Sequence, residues 1–417
     1  MKNRNISVSE VSLLNHSSIS KNDTFDSIEY LDTGSITKNK IESTHALNLG
    51  VDKVPSRAKR KVTNNSIIYS TVRPNQEHHG FLVEPPNNLI VSTGFTTIDV
   101  IDPEVDSKYL YYAITQKHIT DYLHKIGENS VSSYPSINPM DLGNLKFVIP
   151  ELKSDQIKIS QFLSILDEKI EINNRININL ESMAKTIFDY WFIQFEFPNN
   201  EGKPYKSTGG EMAYSSILKR DIPVGWNASN ILSVANLLGG GTPSKSKPEY
   251  WNGNIPFFTP TDTSSDIYSL TTEDYITEEG LQKSSTRLFS KNTIFITARG
   301  SVGRLALNSV PMAMNQSCYA LHAKNDVGYC YLFFLTKELI HHLEVKASGS
   351  VFDSIVSNDI EYTNLAIPSS NTLISKYSKV AEPLFEKIEL NTKENNKLIK
   401  LRNWLLPMLM NGQVTVP

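Results

Sequence analysis

Cysteine is nearly missing from this chain: Cys318 and Cys330 are the only two among 417 residues. Two thiols are too few for a disulfide framework or a thiolate zinc site, and a reducing cytoplasm is the expected compartment. No run of 18 apolar residues occurs, so no membrane-spanning helix is expected. The opening Met-Lys-Asn-Arg-Asn-Ile-Ser7 lacks the apolar core of a signal peptide. An excess of positive charge is missing too. The 41 Lys and Arg face 44 Asp and Glu, and a net charge of −3 argues against indiscriminate binding to nucleic acid. Enzyme motifs are also lacking. There is no Asp/Asn-Pro-Pro-Tyr/Phe for amino methylation, and no Gly-x-Gly-x-x-Gly opens a helix. The run Gly239-Gly-Gly-Thr-Pro-Ser-Lys-Ser246 approaches a phosphate loop, but Ser244 stands where the second glycine belongs and Pro243 removes an amide donor. It reads as a flexible turn between strand and loop. His78-His79 and His341-His342 lack the i, i+4 spacing of a metal pair. Asp141, Glu151 and Lys153 echo a nuclease acid–acid–lysine set only loosely and read as solvated charges at a domain exit.

What is present is a long amphipathic pattern written twice. Ile159, Phe162, Leu166, Lys169, Asn173, Ile176, Leu180, Met183, Ile187 and Tyr190 follow alternating steps of three and four. This is a heptad seam. Adding 218 gives Tyr377, Val380, Leu384, Lys387, Asn391, Glu394, Leu398, Leu401, Leu405 and Met408. The polar interruptions recur in place, Lys169 with Lys387 and Asn173 with Asn391. A helix of ~32 residues is ~48 Å long and needs cover for its apolar stripe. The nearest cover is its own copy, paired antiparallel, with a buried asparagine holding the register.

The rest of the chain follows the same duplication. Residues 1–152 form a first globular unit, with strands expected at 27–31, 66–72, 89–93 and 145–149 and one helix over 108–125. Residues 153–195 hold the first long helix. Residues 196–225 are a connector of turns without a period. Residues 226–370 form a second globular unit, and 371–412 the second long helix. Pro407 is expected to break or kink that helix, whereas Pro383 is expected in its first turn. The units rhyme: Ile68-Tyr-Ser-Thr-Val-Arg73 with Ile294-Phe-Ile-Thr-Ala-Arg299, and Ile149-Pro150 with Ile367-Pro368. The fold class is therefore α/β, two repeated globular domains separated by two long antiparallel helices in a coiled coil.

Charge is distributed unevenly. Residues 53–76 carry Lys53, Arg57, Lys59, Arg60, Lys61 and Arg73 and no acid. Residues 280–325 carry Lys283, Arg287, Lys291, Arg299, Arg304 and Lys324, again with no acid. Phosphate contact needs Lys and Arg, and base reading needs Arg, Asn, Gln and small hydroxyls on loops. The candidate DNA-binding residues are Lys59, Arg60, Lys61, Thr71, Arg73, Lys245, Lys247, Thr297, Arg299, Ser301, Arg304 and Gln316. Exposed solubility arginines and polar cover over a strand end are the plain alternatives. Ser132-Ser-Tyr134 and Ser348-Gly-Ser350 are matched polar loops or simple turns.

Three stretches carry a family resemblance. They are Gly239 to Phe258, Ile187-Phe-Asp-Tyr-Trp-Phe192 and Leu401-Arg-Asn-Trp-Leu-Leu-Pro-Met-Leu-Met-Asn-Gly412. With the duplicated layout they resemble the specificity subunit of type I restriction–modification systems. Asp26 to Ile41, where the first domain opens, lacks the Gly-Gly-Thr-Pro block. The resemblance implies two target recognition domains, each reading half of a split, asymmetric site in double-stranded DNA. It implies spacer helices that set the gap and dock two methyltransferase subunits. It implies no catalysis and no cofactor in this chain. S-adenosylmethionine would belong to the methyltransferase subunits, and ATP and Mg2+ to motor–nuclease restriction subunits. Ile165, Ile170, Ile172, Ile178, Ile388 and Leu390 lie off the seam, free for partner helices or for packing on the recognition domains.

Overall fold

Runs of β-branched and aromatic residues bounded by Gly, Pro and Asn form strands where the sequence places them. In the computed structural model, which describes every residue except Met1, Lys21, 131–133, Asn325, 348–352 and Pro417, strands cover Ser27–Leu31, Ser66–Ser70, Leu89–Ser92 and Lys146–Pro150. The matched polar loops, Tyr134 apart, lie outside the described residues. The chain is of mixed α/β class and gathers into two compact units, 1–169 with 398–417, and 170–397. The long helices Lys153–Phe188 and Asn371–Met410 each contribute residues to both units.

Each unit builds the same frame. In the first, an antiparallel sheet runs in the order Ser12–Leu14, Phe95–Val100, Ser66–Ser70, His79–Leu82. In the second, the order is Ala235–Gly239, Cys318–Ala323, Ile294–Thr297, Leu305–Asn308, with Tyr268–Ser269 added in parallel at the edge. A separate two-stranded ladder joins the opening strand of each unit to the strand before its long helix. These are Asn3–Ser7 with Lys146–Pro150, and Trp226–Asn230 with Asn364–Pro368. A second sheet packs on the other face of the first. It is His45–Asn48, Ser27–Leu31, Leu89–Ser92, Ala58–Lys61 in one unit and Asp274–Ile276, Trp251–Phe258, Ala313–Met314 in the other. The central strands are buried on both faces and read as continuous apolar runs for that reason.

The repeat is one residue out of the alignment read from sequence. Ile67 and Tyr69 face the core that the helices cover, as Ile294 and Ile296 do, while Ile68 and Phe295 turn to the second sheet. Ile67, not Ile68, is thus the counterpart of Ile294. A slip of one residue exchanges the two faces of a strand, so burial decides the matter. Ser70 then answers Thr297, and Arg73 and Arg299 are not counterparts.

Three helical expectations need correction. The helix expected over 108–125 is two, Ser107–Ile114 and Lys117–Glu128. Gln116 is extended between them (φ −61°, ψ 142°), and its Nε2 donates to the free carbonyl of Ala113 at 3.1 Å. The second long helix starts at Asn371 and continues through both Pro383 and Pro407. Both prolines are exposed, as are Lys379 and Asn403 four residues before them, so the carbonyls left without a partner can bond water. The first long helix ends in a π-helical turn, Asp189–Ile193. The connector holds a hairpin, Met212–Ser215 with Arg220–Pro223, rather than turns alone.

Residue numbers rise along one long helix as they fall along its contacts on the other. In the first unit Ile159 and Leu163 share a core with Leu409 and Met410, and Arg402 pairs with Asp167. In the second unit Asn173 Nδ2 donates to Asn395 Oδ1 at 2.9 Å and to Glu394 Oε2 at 2.8 Å. Asn391 donates to Asn177 at 2.9 Å and Asn395 to Asn174 at 2.7 Å. The Tyr377 hydroxyl donates to the Ala184 carbonyl at 3.0 Å. Of the expected seam, Asn173 and Asn391 are buried, and Phe162, Leu166, Leu180, Ile187, Leu384, Leu398 and Leu405 are half-buried. Met183 (54% exposed) and Leu401 (41%) are not in it, and neither are Ile176, Tyr190 and Val380. The buried stripe is turned toward Leu163, Asn177 and Ala184 on one helix and Ala381, Ile388 and Asn395 on the other. Counting apolar residues overlooks it because alanine and asparagine, which permit close approach, score poorly. Ile388 is therefore buried, Ile170 is half-buried, and Ile165, Ile172, Ile178 and Leu390 remain exposed.

Replacing Asn395 with alanine leaves the Asn173 amide with Glu394 alone and takes from Asn174 Oδ1 the N–H it accepts. The expected cost is about 1–3 kcal/mol, read as a lower denaturation midpoint. Lys397→Ala, on an exposed position of the same helix, should stay within about 0.5 kcal/mol of the parent. Equal midpoints for the two variants would contradict the assignment.

Candidate nucleic-acid interface

In the second unit, three loops meet at one end of the central sheet. The strand Ile294–Thr297 runs into a turn over 298–304 in which Gly300 and Gly303 take positive φ (84° and 80°). Thr297 is fully buried. Its hydroxyl donates to the Ser301 carbonyl and accepts from Arg304 N at 3.0 Å. Of the sequence-based candidates, it is the one whose side chain is buried in bracing the turn. Arg299, Ser301 and Arg304 stand exposed on that turn. The Ala298 N–H donates to Ser317 O at 2.8 Å, which ties the turn to the 315–317 loop. The Thr242 hydroxyl donates to Gln316 Oε1, which ties that loop to the glycine-rich segment.

The glycine-rich segment is packed rather than flexible. A Cβ on Gly240 would lie 2.1 Å from the Asn315 carbonyl oxygen, and one on Gly241 would lie 2.1 Å from Ser285 Oγ. Gly239 has open space around it. The glycines serve close approach of backbones. Trp251 Nε1 donates to Ser244 O at 3.1 Å and holds the loop that carries Lys245 and Lys247. Lys245, Arg299 and Arg304 are exposed and form no ion pair among the described residues, while Lys247 lies 3.5 Å from Glu249. Lys291 is occupied, 2.8 Å from Glu389. Burial works to raise the Glu389 carboxyl, and hydrogen bonds from Lys291, Lys393 and Ser309 outweigh it and hold it below its ordinary range.

The first unit disperses its basic run. Lys59, Arg60 and Lys61 lie on Ala58–Lys61, paired with Leu89–Ser92 on one side and with the 17–19 segment on the other. Lys59 is exposed. Arg60 is half-buried and donates to Asn15 O at 3.4 Å. Lys61 sits 2.6 Å from Asp23, and its ammonium holds that carboxyl below the usual carboxylate range. A window free of acid in sequence is not free of acid in space. The Thr71 hydroxyl donates to Gly94 O at 2.9 Å, so it too belongs to the frame. Arg73 is exposed and left-handed (φ 48°), with its guanidinium 4.6 Å from the centre of the Tyr134 ring. The turn after it, Pro74–Gln76, ends at left-handed Glu77, which pairs with Lys38 at 2.7 Å. A strained, exposed arginine stacked on a ring is a pre-positioned donor set. Tyr134 and Thr242 are absent from the sequence-based candidates. An aromatic beside a polar loop was the available signal for Tyr134. Nothing in composition points to Thr242.

The remaining chemical candidates separate. Lys153 donates to Pro103 O at 2.7 Å, and Asp141 caps its helix by accepting from Asn138 N at 2.7 Å. His79 is buried against Tyr69 and Tyr111, and burial lowers its pKa to about 3. Among the described residues no group of three or more His, Cys, Asp or Glu is arranged to hold a metal ion.

Comparison with known proteins bears on this geometry. The family model described as "Type I restriction modification DNA specificity domain" matches residues 8–182 and 223–400. The type I restriction enzyme HindI specificity subunit of Haemophilus influenzae is 24% identical, over 94% of this chain and 95% of its own length. The MjaIX specificity subunit of Methanocaldococcus jannaschii is 28% identical, over 87% of this chain and 83% of its own. The crystal structure of a type I restriction–modification S subunit from M. genitalium shares the fold, with a TM-score of 0.55 at 17% identity over 98% of this chain and 96% of that one.

Gly240→Ala must displace the 314–315 backbone, and such overpacking typically costs about 1–3 kcal/mol. Gly239→Ala, one residue away in open space, should be tolerated within about 0.5 kcal/mol. Thermal unfolding of the two variants separates a packed loop from a flexible one. Equal melting temperatures would restore the flexible turn.

Proposed function

This chain belongs to the type I restriction–modification DNA specificity family, whose subunits are non-catalytic, and we propose that each of its units reads one half of a split target in double-stranded DNA. The observation that carries this is one frame built twice with unlike loops at its ends. In the second unit, Lys245, Lys247, Arg299 and Arg304 supply phosphate contacts, and Ser301 and Gln316 reach base edges. In the first, Lys59 meets phosphate and Arg73, held on Tyr134, reads the groove. Thr71, Thr297 and Lys61 support the frame, and Arg60 lies mostly within it. Neither half needs to bind tightly by itself, because joining two readers makes the second contact intramolecular.

The division into 1–152, 153–195, 196–225, 226–370 and 371–412 gives this reading its parts: two recognition domains, two spacer helices forming a coiled coil, and a connector. The spacers set the gap between half-sites. Their exposed Ile165, Ile172, Ile178 and Leu390 offer apolar surface to two methyltransferase subunits. Those subunits bring S-adenosylmethionine for adenine methylation, and restriction subunits bring ATP and Mg2+. No described helix is long and apolar enough to cross a membrane.

Mapping methylated adenines in a genome that carries the subunit with its methyltransferase tests the whole reading. Two fixed half-sites with an unspecified gap are expected. Inserting one heptad into each long helix should lengthen the gap and leave both halves unchanged, and altered half-sites would refute the ruler. In the assembled complex, Arg299→Ala with Arg304→Ala should lower the slope of log affinity against log salt by about 0.9 for each phosphate that is no longer neutralised. Lys61→Ala, whose charge Asp23 already answers, should leave the slope alone. The reverse pattern would overturn the assignment of phosphate-binding residues.

A further inference from the structure

The repeated frame gives each loop position in one unit a counterpart in the other. Just past the central strand, Val72 bridges to Ser136 in the first unit and Arg299 to Ser354 in the second. The next residue is left-handed in both, Arg73 at φ 48° and Gly300 at φ 84°. The turn thus calls for positive φ at this point. Glycine meets that demand at no steric cost, whereas a residue with a Cβ is strained there. An arginine here is strain that the frame does not require, and such strain collects at functional sites.

The surroundings hold this arginine without neutralising it. Its backbone N–H donates to Pro135 O at 2.8 Å. Its guanidinium lies 4.6 Å from the centre of the exposed Tyr134 ring and forms no ion pair among the described residues. A cation held over a ring face is positioned without using its N–H donors. Two parallel N–H donors of an arginine match O6 and N7 of guanine in the major groove. The company on the turn suits a base rather than a phosphate. Asn75 and Gln76 are exposed and neutral, and Glu77 is paired with Lys38. A phosphate site gathers cations, and none stands free beside Arg73 on this turn.

We propose that Arg73 reads a guanine in the half-site of the first unit, through paired N–H donors to O6 and N7, and that Tyr134 is a positioning residue that holds the guanidinium for it. The proposal rests on the reading that each unit recognises half of a split DNA target, and it adds the base and the residue that selects it.

The test uses the full chain assembled with its methyltransferase, and duplexes carrying the target mapped from methylated adenines. Each G·C pair of both halves is replaced in turn by A·T, and affinities are read by fluorescence anisotropy. At one guanine, replacement should weaken binding by the parent about tenfold to a hundredfold. Arg73→Lys keeps the charge and loses the fork. It and Arg73→Gly should erase the penalty at that pair and keep the penalties elsewhere. Tyr134→Phe should retain the discrimination, and Tyr134→Leu should lose it severalfold. Arg73→Gly should melt close to the parent, because the counterpart turn carries glycine. Unchanged penalties at every G·C pair in Arg73→Lys overturn the guanine contact. A melting temperature lowered by more than about 4 °C in Arg73→Gly makes the arginine a structural residue and overturns the proposal. Equal discrimination in Tyr134→Leu and Tyr134→Phe overturns the positioning role. An unsplit target refutes the underlying reading, whereas a split target with unaltered penalties refutes this inference alone.

Discussion

Five polar side chains, Asn173, Asn177, Asn391, Thr392 and Asn395, are buried where the long helices meet in the second unit, and they satisfy one another. A purely apolar seam tolerates displacement by a heptad, since one leucine serves as well as another. A hydrogen-bonded amide layer does not, because displacement leaves each amide against an apolar side chain. Register set in this way decides the other meetings of the helices within the second unit, such as that of the Tyr377 hydroxyl with Ala184 O. In the first unit Arg402 pairs with Asp167, which also accepts from the Tyr112 hydroxyl at 2.6 Å. Tyr112 belongs to the helix that covers the central sheet, so the sheet is tied to the long helices through one carboxylate.

Much of the frame was legible because period and punctuation act locally. Ser27–Leu31 and Ser66–Ser70 are short β-branched runs between turn residues, and their ends follow from that alone. The repeat was legible as well, but its register on the central strand was not. Ile67 and Ile68 are the same residue type, and only the two cores on either side of the strand tell them apart. The seam read from sequence is rotated from the most buried stripe for a related reason. The pattern of large apolar residues centres on one stripe, while contact centres on the neighbouring stripe where Ala184, Asn177 and Asn395 let the backbones close in. The prolines misled because their cost was judged from the helix alone. On an exposed face, solvent meets the carbonyls they abandon.

Candidate DNA-binding residues were legible by type, while the partners that already occupy them were not. Lys59, Arg60 and Lys61 are consecutive, yet a strand sends neighbours to opposite faces. Asp23, 38 positions away, reaches one of them. Thr71 and Thr297 stand out in sequence as small hydroxyls near arginines. Both already donate to backbone carbonyls, which is why hydroxyl residues recur at such turns. Lys245, Arg299, Ser301 and Arg304, whose side chains meet no partner among the described residues, share one feature that sequence does not display. They sit on loops pinned from behind by Gly240, Gly241, Thr242 and Thr297.

The titratable groups that are strongly shifted lie in the frame rather than on those loops. Burial takes His79 to about 3, pushes the Cys318 thiol up to about 12 and raises Cys330 well above its ordinary value. Desolvation likewise raises the hydroxyls of Tyr109, Tyr111, Tyr331 and Tyr377 further above their ordinary value. A group tuned for acid–base work combines such a shift with a cleft and a reacting partner. Here each shift marks a side chain sealed in a core, neutral and locked in place. Loops that contact a duplex need rigidity behind them and charge in front.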